Sequence, residues 1–365
     1  MLGRATPRWD SVLAGLRSLA ALLSAAVVAG CAAAVQSVPR GEPRLEPQTS
    51  ETSELLQAVS VVDSLVVWVS GHGGIWGRTI DGGRTWSTAM VGGAEAMQFR
   101  DVHAESATTA WLLAAGSGEL SRLYHTTNGG STWTLQWLNE EPEGFYDCMD
   151  FWDERRGFVY GDAVGGELRI LVTDDGGTTW TLVPGDALPA AQPGEGGFAA
   201  SGTCAIAAAD GRGWVAAGNA ARARVFFTPD FGQSWTASDV PVVSGEAAGL
   251  ASISMLDERR GTAFGGNIGQ PDLRSDNVAR TDDGGRTWSL LARPAMAGPV
   301  YGGVHVPGTD ALIAVGPGGV DFSSDGGGSW RTLDTQPWWG LGSGGPDATW
   351  ITGPGGRIAR IRVTR

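Results

Sequence analysis

The residues able to exchange a proton are mostly carboxylates, and they fall into two groups. One group recurs: Asp81, Asn128, Asp175, Asp230, Asp283 and Asp325 each follow a Thr or Ser by two positions and precede a Trp by five, namely Trp86, Trp133, Trp180, Trp235, Trp288 and Trp330. The other group, Asp147, Asp150, Asp162 and Glu195, lies in the stretches between these boxes. Two carboxylates facing each other about 5 to 10 Å apart would suit the hydrolysis of a glycosidic bond, one giving a proton and the other acting as base or nucleophile. The recurring group does not fit that work. Asn128 replaces one carboxylate, and an amide keeps the turn-forming hydrogen bonds but cannot exchange a proton. Calcium binding is excluded on similar grounds, because the ion takes about six to eight oxygens and each box offers one or two carboxylates.

Other chemistries find less support. Ser201 stands between Ala200 and Gly202, without a Gly-x-Ser-x-Gly elbow or an evident His partner. The four histidines, His72, His103, His125 and His305, are scattered, and there is neither a Cys-x-x-Cys pair nor a strand-to-helix glycine fingerprint. No catalytic residue, metal or cofactor is assigned, and an oxidoreductase has no motif to stand on.

The elements that must position these residues follow from the spacing of the boxes. Their acidic positions step by 42 to 55 residues from 81 to 325, which is the length of one four-stranded propeller blade. Seven short apolar runs ending near Gly, from "LVVWVSG" to "TWITGP", give a second periodic signal. Each unit therefore reads as strand, turn, Gly-ended strand, loop, third strand, box, fourth strand. The fold expected is an all-β, seven-bladed β-propeller with a box hairpin between the third and fourth strands of most blades. In the Thr281–Trp288 box, Asp283 is expected to accept backbone N–H groups two residues on, Gly285 to adopt positive φ, and Trp288 to fill the gap between blades. "CMDFWDERRG" and "SISMLDERRG" read as first strands ending in solvated hairpin turns. The last unit, ending in "GRIARIRVTR", lacks a box and a fourth strand, so Arg44 to Gln48 should supply its outer strand and close the ring.

Composition agrees with many short strands and tight turns: 57 Gly and 16 Trp in 365 residues. A formal net charge of -13 argues against nucleic acid. At the N-terminus Arg4, Arg8 and Arg17 precede an apolar run, Leu19 to Ala29, too short to span a bilayer as a mature helix. The run ends in Val28-Ala29-Gly30-Cys31, which resembles the lipobox of bacterial lipoproteins and implies acylation at Cys31. The expected organisation is a leader over 1–31, a flexible tether over 32–43 and one propeller domain over 44–365. The chain would then be an exported lipoprotein of the bacterial envelope, in the periplasm, at the outer membrane or at the cell surface, held to the membrane by its lipid alone.

The boxes resemble Asp boxes, or BNR repeats, found in sialidases, sortilin-type receptors, some endoglucanases and photosystem II stability and assembly factors. Over residues 50 to 365 the chain is most similar to exported bacterial BNR/WD40-like propellers related to the photosystem factor, through "FYDCMDFWDERRGFVYGD", "GEGGFAASGT" and "ARVFFTPDFGQSW". The resemblance implies boxes at the blade periphery, away from any active site. It gives little for a sialidase, which needs an early Arg-Ile-Pro segment and a Tyr nucleophile; no such segment is present, and the tyrosines are only Tyr124, Tyr146, Tyr160 and Tyr301.

The function expected is a non-catalytic, monomeric scaffold that binds a protein or glycan partner, with a glycosidase using paired carboxylates on the propeller face as the alternative. The insertion "PGEGGFAASGT" makes the interval between the third and fourth boxes the longest. Glu195 and Ser201 in it, with Tyr146, Asp147, Asp162, Arg224 and Asn277 at comparable blade positions, form the candidate binding face. Cys148 and Cys204 share a register in neighbouring blades, where two buried thiols are expected and a disulfide is the alternative.

Overall fold

The computed structural model describes residues 43–363. The leader, Cys31 and all but the last residue of the expected tether lie outside the described residues. Seven antiparallel sheets of four strands each make up the domain. Blade 3 is representative: Tyr146–Phe151, Gly157–Val164, Glu167–Thr173 and Thr181–Leu182, hydrogen-bonded in that order. First strands of successive blades contact one another around the centre.

The second strands are buried on both faces, which is why they read as unbroken apolar runs and not as alternating ones. Trp68, Trp111, Phe158, Trp214, Thr262, Ile313 and Trp350 hold matching places near the starts of these strands, and all are nearly inaccessible. Full burial of such an apolar side chain contributes about 1.5–3 kcal/mol.

The ring closes as the sequence implies. Arg44–Gln48 pairs antiparallel with Arg357–Arg362 as the outer strand of blade 7, with Arg44 opposite Arg362 and Gln48 opposite Ile358. Gln48 Oε1 then accepts hydrogen bonds from Trp350 Nε1 (3.1 Å) within blade 7 and from Trp86 Nε1 (2.9 Å) of blade 1. One glutamine thus couples the two ends of the chain to the first box.

Each box is a stapled turn, but the staple differs from the expected one. In the Asp283 box, Oδ1 accepts from the N–H groups of Arg286 (3.0 Å) and Thr287 (2.9 Å), three and four residues on instead of two. The Thr287 hydroxyl donates to Oδ2 (2.6 Å). The Thr281 hydroxyl, given no role by the sequence reading, donates to Asp283 Oδ1 (2.8 Å) and accepts from Gly285 N (2.9 Å). The Asn128 box keeps this pattern: Oδ1 accepts from Thr132 N (3.0 Å) and Nδ2 donates to the Thr132 hydroxyl (2.8 Å). Most of the box tryptophans reach back into the preceding blade, as Trp288 Nε1 does to Ser238 Oγ (3.1 Å) and Trp330 Nε1 to the Ala292 carbonyl (2.9 Å).

Candidate functional site

In an antiparallel blade the first and third strands start at one end, and the boxes, which follow third strands, lie at the other. The candidate residues gather at the end opposite the boxes, where the central channel opens.

Four first strands carry a β-bulge there, whose extra residues are Gln57, Arg100, Asp147 and Ala251. A bulge bends the strand and re-aims a side chain. Three consecutive blades therefore turn a polar residue toward the channel mouth. Deeper in, polar side chains of one first strand capture backbone N–H groups of the next: Ser60 Oγ takes Ala104 N (3.0 Å), Asp101 Oδ2 takes Met149 N (2.8 Å) and Asp150 Oδ2 takes Ala207 N (2.7 Å). Asp150 also meets His103 Nδ1 at 2.9 Å.

The insertion at 193–204 is a plug across this mouth. Its backbone pairs with Gly218 of blade 4 through Gly196 (3.1 and 2.8 Å). The Ala199 carbonyl accepts from Gln57 Nε2 of blade 1 (2.7 Å), and the Ser201 hydroxyl donates to the Tyr301 carbonyl ahead of blade 6 (2.7 Å). Thr203 Oγ1 donates to Ser252 Oγ of blade 5 (2.7 Å), while its carbonyl accepts from Ile253 N (2.9 Å). The glycines are required by close approach. A Cβ on Gly197 would lie 2.6 Å from Asp147 Cγ, one on Gly202 would lie 2.6 Å from Asp101 Oδ1, and one on Gly196 would collide with Asp162 Oδ1.

Beneath the plug sits a buried polar cluster. Glu195 and Arg224 form a bidentate ion pair, with Nε–Oε1 at 2.6 Å and Nη2 bonded to Oε2; Arg224 Nη2 also donates to the Ala190 carbonyl (3.0 Å). Glu195 Oε2 also accepts from Gln192 N (2.8 Å), so its oxygens are satisfied jointly by the loop and by Arg224. Asp162 Oδ1 accepts from Gly197 N (2.9 Å). Burial first, and then the neighbouring Asp162, hold the Asp147 carboxyl well above the ordinary carboxylate range. Asp162 is also raised by burial, partly offset by the Gly197 N–H and the hydrogen bond from Asp147. Two adjoining carboxyls out of water resist ionising together, and Asp147 Oδ2 has no hydrogen-bond partner among the described residues. Tyr160, whose hydroxyl has no partner among the described residues, is pushed far up by burial and then by Asp147 and Asp162.

Of the seven expected binding-face residues, the structure brings Asp147, Asp162, Glu195, Ser201 and Arg224 into or against the plug. All but Asp162 among the seven are buried. Tyr146 packs edge-on against Trp137 at 4.8 Å, and burial pushes its phenol up to about 12. Asn277 stands apart and donates to the Gly298 carbonyl (3.2 Å).

The expectation of two free thiols is corrected. Cys148 and Cys204 form a disulfide, with Cα atoms 6.0 Å apart, because the end of the plug runs directly against the first strand of blade 3. Sequence reasoning missed Gln57, Arg100 and Asp101; the one signal for them was an isolated polar residue inside an apolar first-strand run, as in "LLQAVS".

No family model matches the chain, and no curated protein matches it. Among solved structures, the chain is similar to YCF48 bound to D1 peptide, with a TM-score of 0.62 and 18% identity over 88% of this chain and 97% of that one. YCF48 from Cyanidioschyzon merolae gives 0.61 and 15%, over 87% and 98%. The GH74 xyloglucanase from Xanthomonas campestris gives 0.58 and 13%, over 87% of this chain and 53% of that one. These likenesses establish the propeller fold and leave activity to the residues.

Proposed function

We propose that the chain is a non-catalytic scaffold, exported and lipid-anchored at Cys31, that binds a protein partner at a membrane surface. The observation that carries this reading is the plug. Its backbone occupies the channel mouth, where a propeller enzyme would admit substrate, and Gly196 and Gly197 cover the two carboxyls best placed for acid–base work. A glycosidase needs its carboxyls to face a cleft open to a sugar ring. The similarity to a propeller caught with a peptide favours the same reading.

The alternative glycosidase is favoured by one observation, the Asp147–Asp162 pair itself, together with the likeness to GH74 propellers. Two measurements in parallel separate them: recovery of partners from the membrane fraction with the full chain, and turnover of a panel of aryl-glycosides. Specific co-purification without turnover supports the scaffold. Turnover that Asp147→Asn abolishes overturns it.

A further inference from the structure

Arg100 is the exception among the polar groups at the mouth. The plug takes Gln57 on one side of it, through Ala199, and packs on Asp147 on the other. Arg100, the bulge residue of the blade between, is left out. Among the described residues it makes no ion pair, and its hydrogen bonds, from Nε (3.0 Å) and Nη2 (2.5 Å), go to one neutral acceptor, Gln98 Oε1. A guanidinium has five N–H donors in a rigid fork. Two are committed, which fixes the plane of the group, and the other three have no acceptor among the described residues.

No carboxylate among the described residues lies within ion-pair distance of that charge. Burial opposes the charge on Arg100, and the acid that acts on it electrostatically is Asp147. Asp147 forms no ion pair with Arg100, and burial together with Asp162 works against its ionisation. His72, close enough to feel Arg100, is lowered first by burial and then by that arginine, with Glu54 partly opposing the shift. In a chain of net charge -13, most arginines outside this mouth lie against carboxylates or backbone carbonyls. A half-buried, oriented guanidinium without an ion pair is what a planar two-oxygen anion completes.

We propose that Arg100, held flat by Gln98, is a carboxylate-binding site that receives the C-terminus or an acidic side chain of a peptide partner at the channel mouth. This rests on the protein-binding reading above and gives its partner a chemical mark.

The test is the melting temperature of the full chain at constant ionic strength with three probes: N-acetyl-Ala-Ala with a free carboxylate, the same dipeptide amidated, and amidated N-acetyl-Asp-Ala. Ligands that bind only the folded state raise that temperature. Either acid probe should shift it relative to chloride while the amidated neutral dipeptide does not, and the probe that shifts it more identifies the source of the carboxylate. R100Q should weaken the response at least about tenfold, the scale of a charge-assisted bidentate contact. Because R100Q could disturb folding, R100K is the second variant: it keeps the charge, loses the fork, and should lose the preference for carboxylate over chloride. Equal shifts with acid and amidated probes, no shift with any, or an undiminished response in both variants would overturn the site. If the site fails while partners still co-purify from membranes, the scaffold reading stands; if nothing co-purifies, that reading falls by itself.

Discussion

Aspartates at the two ends of the blades are the same residue held in opposite states. At the box end Asp81 is partly exposed, and hydrogen bonds from the Thr85 hydroxyl and N–H lower its pKa to about 2. At the channel mouth Asp147 is inaccessible, and burial drives its pKa the other way. The box carboxylate is stabilised by donors within four residues of itself, whereas Asp147 is destabilised as an anion by its burial and by Asp162 from another strand, only partly offset by the Gly197 N–H. A motif that brings its own donors works wherever it is placed, and it repeats. A cluster assembled from distant segments occurs once, and its protonation states are set by the assembly.

The sharpest way to break this contrast is at the seam, where local strands become a closed ring. Deleting 358–365 removes the third strand of blade 7, to which Arg44–Gln48 pairs. The cooperative unfolding transition of the whole domain should disappear; an unchanged transition by calorimetry would show that closure is dispensable.

Next in size is Glu195→Ala, which leaves Arg224 buried without its counter-charge. Breaking one side of a buried pair costs about 3–5 kcal/mol, readable by urea denaturation. A loss near zero would mean that the plug is only loosely seated.

The third prediction concerns pH. Asp147 has a raised folded-state pKa, so its contribution is complete below the unfolded value and is lost as pH rises through and above the ordinary carboxylate range. Asp147→Asn should remove part of that decline and equal or exceed the parent in stability at pH 7. Asp81 has the opposite sign: its contribution is present above the ordinary range and is lost as pH falls toward about 2. Stability curves against pH for Asp147→Asn and Asp81→Asn should therefore depart from the parent on opposite sides; departure on the same side refutes the contrast.

The smallest effect is expected for Asp283→Asn. Asn128 already shows that the amide makes the turn bonds, so the change should stay within about 0.5 kcal/mol by denaturant titration.

The two regions were also unequally legible. The box could be read because its information is local and recurs: Thr, Asp, Gly and Trp at fixed spacing give the turn, and the step between copies gives the blade. Even there one atom escaped, the Thr281 hydroxyl that links Asp283 to Gly285, since a Thr before a turn has many alternative roles. In the sequence the plug reads as an insertion that contributes to a binding face. Its glycines fit that description until the carboxyls beneath them are seen. Nothing in "FRDVHA" says that Arg100 is a bulge residue, because a bulge is a relation between two strands.

By itself, the amino-acid sequence determined the number of blades, the order of strands within each, the turns that staple them and the use of Arg44–Gln48 to close the ring. All but the last follow from side-chain period and turn chemistry within about fifty residues, and the closure follows from the fourth strand that the last unit lacks. Only the tertiary structure decided that the 193–204 segment seals the channel, that Cys148 and Cys204 meet, that burial pushes Asp147 up and that Arg100 makes no ion pair among the described residues. Burial, and the charges brought together by it, are properties of distance in space, which no spacing along the chain records.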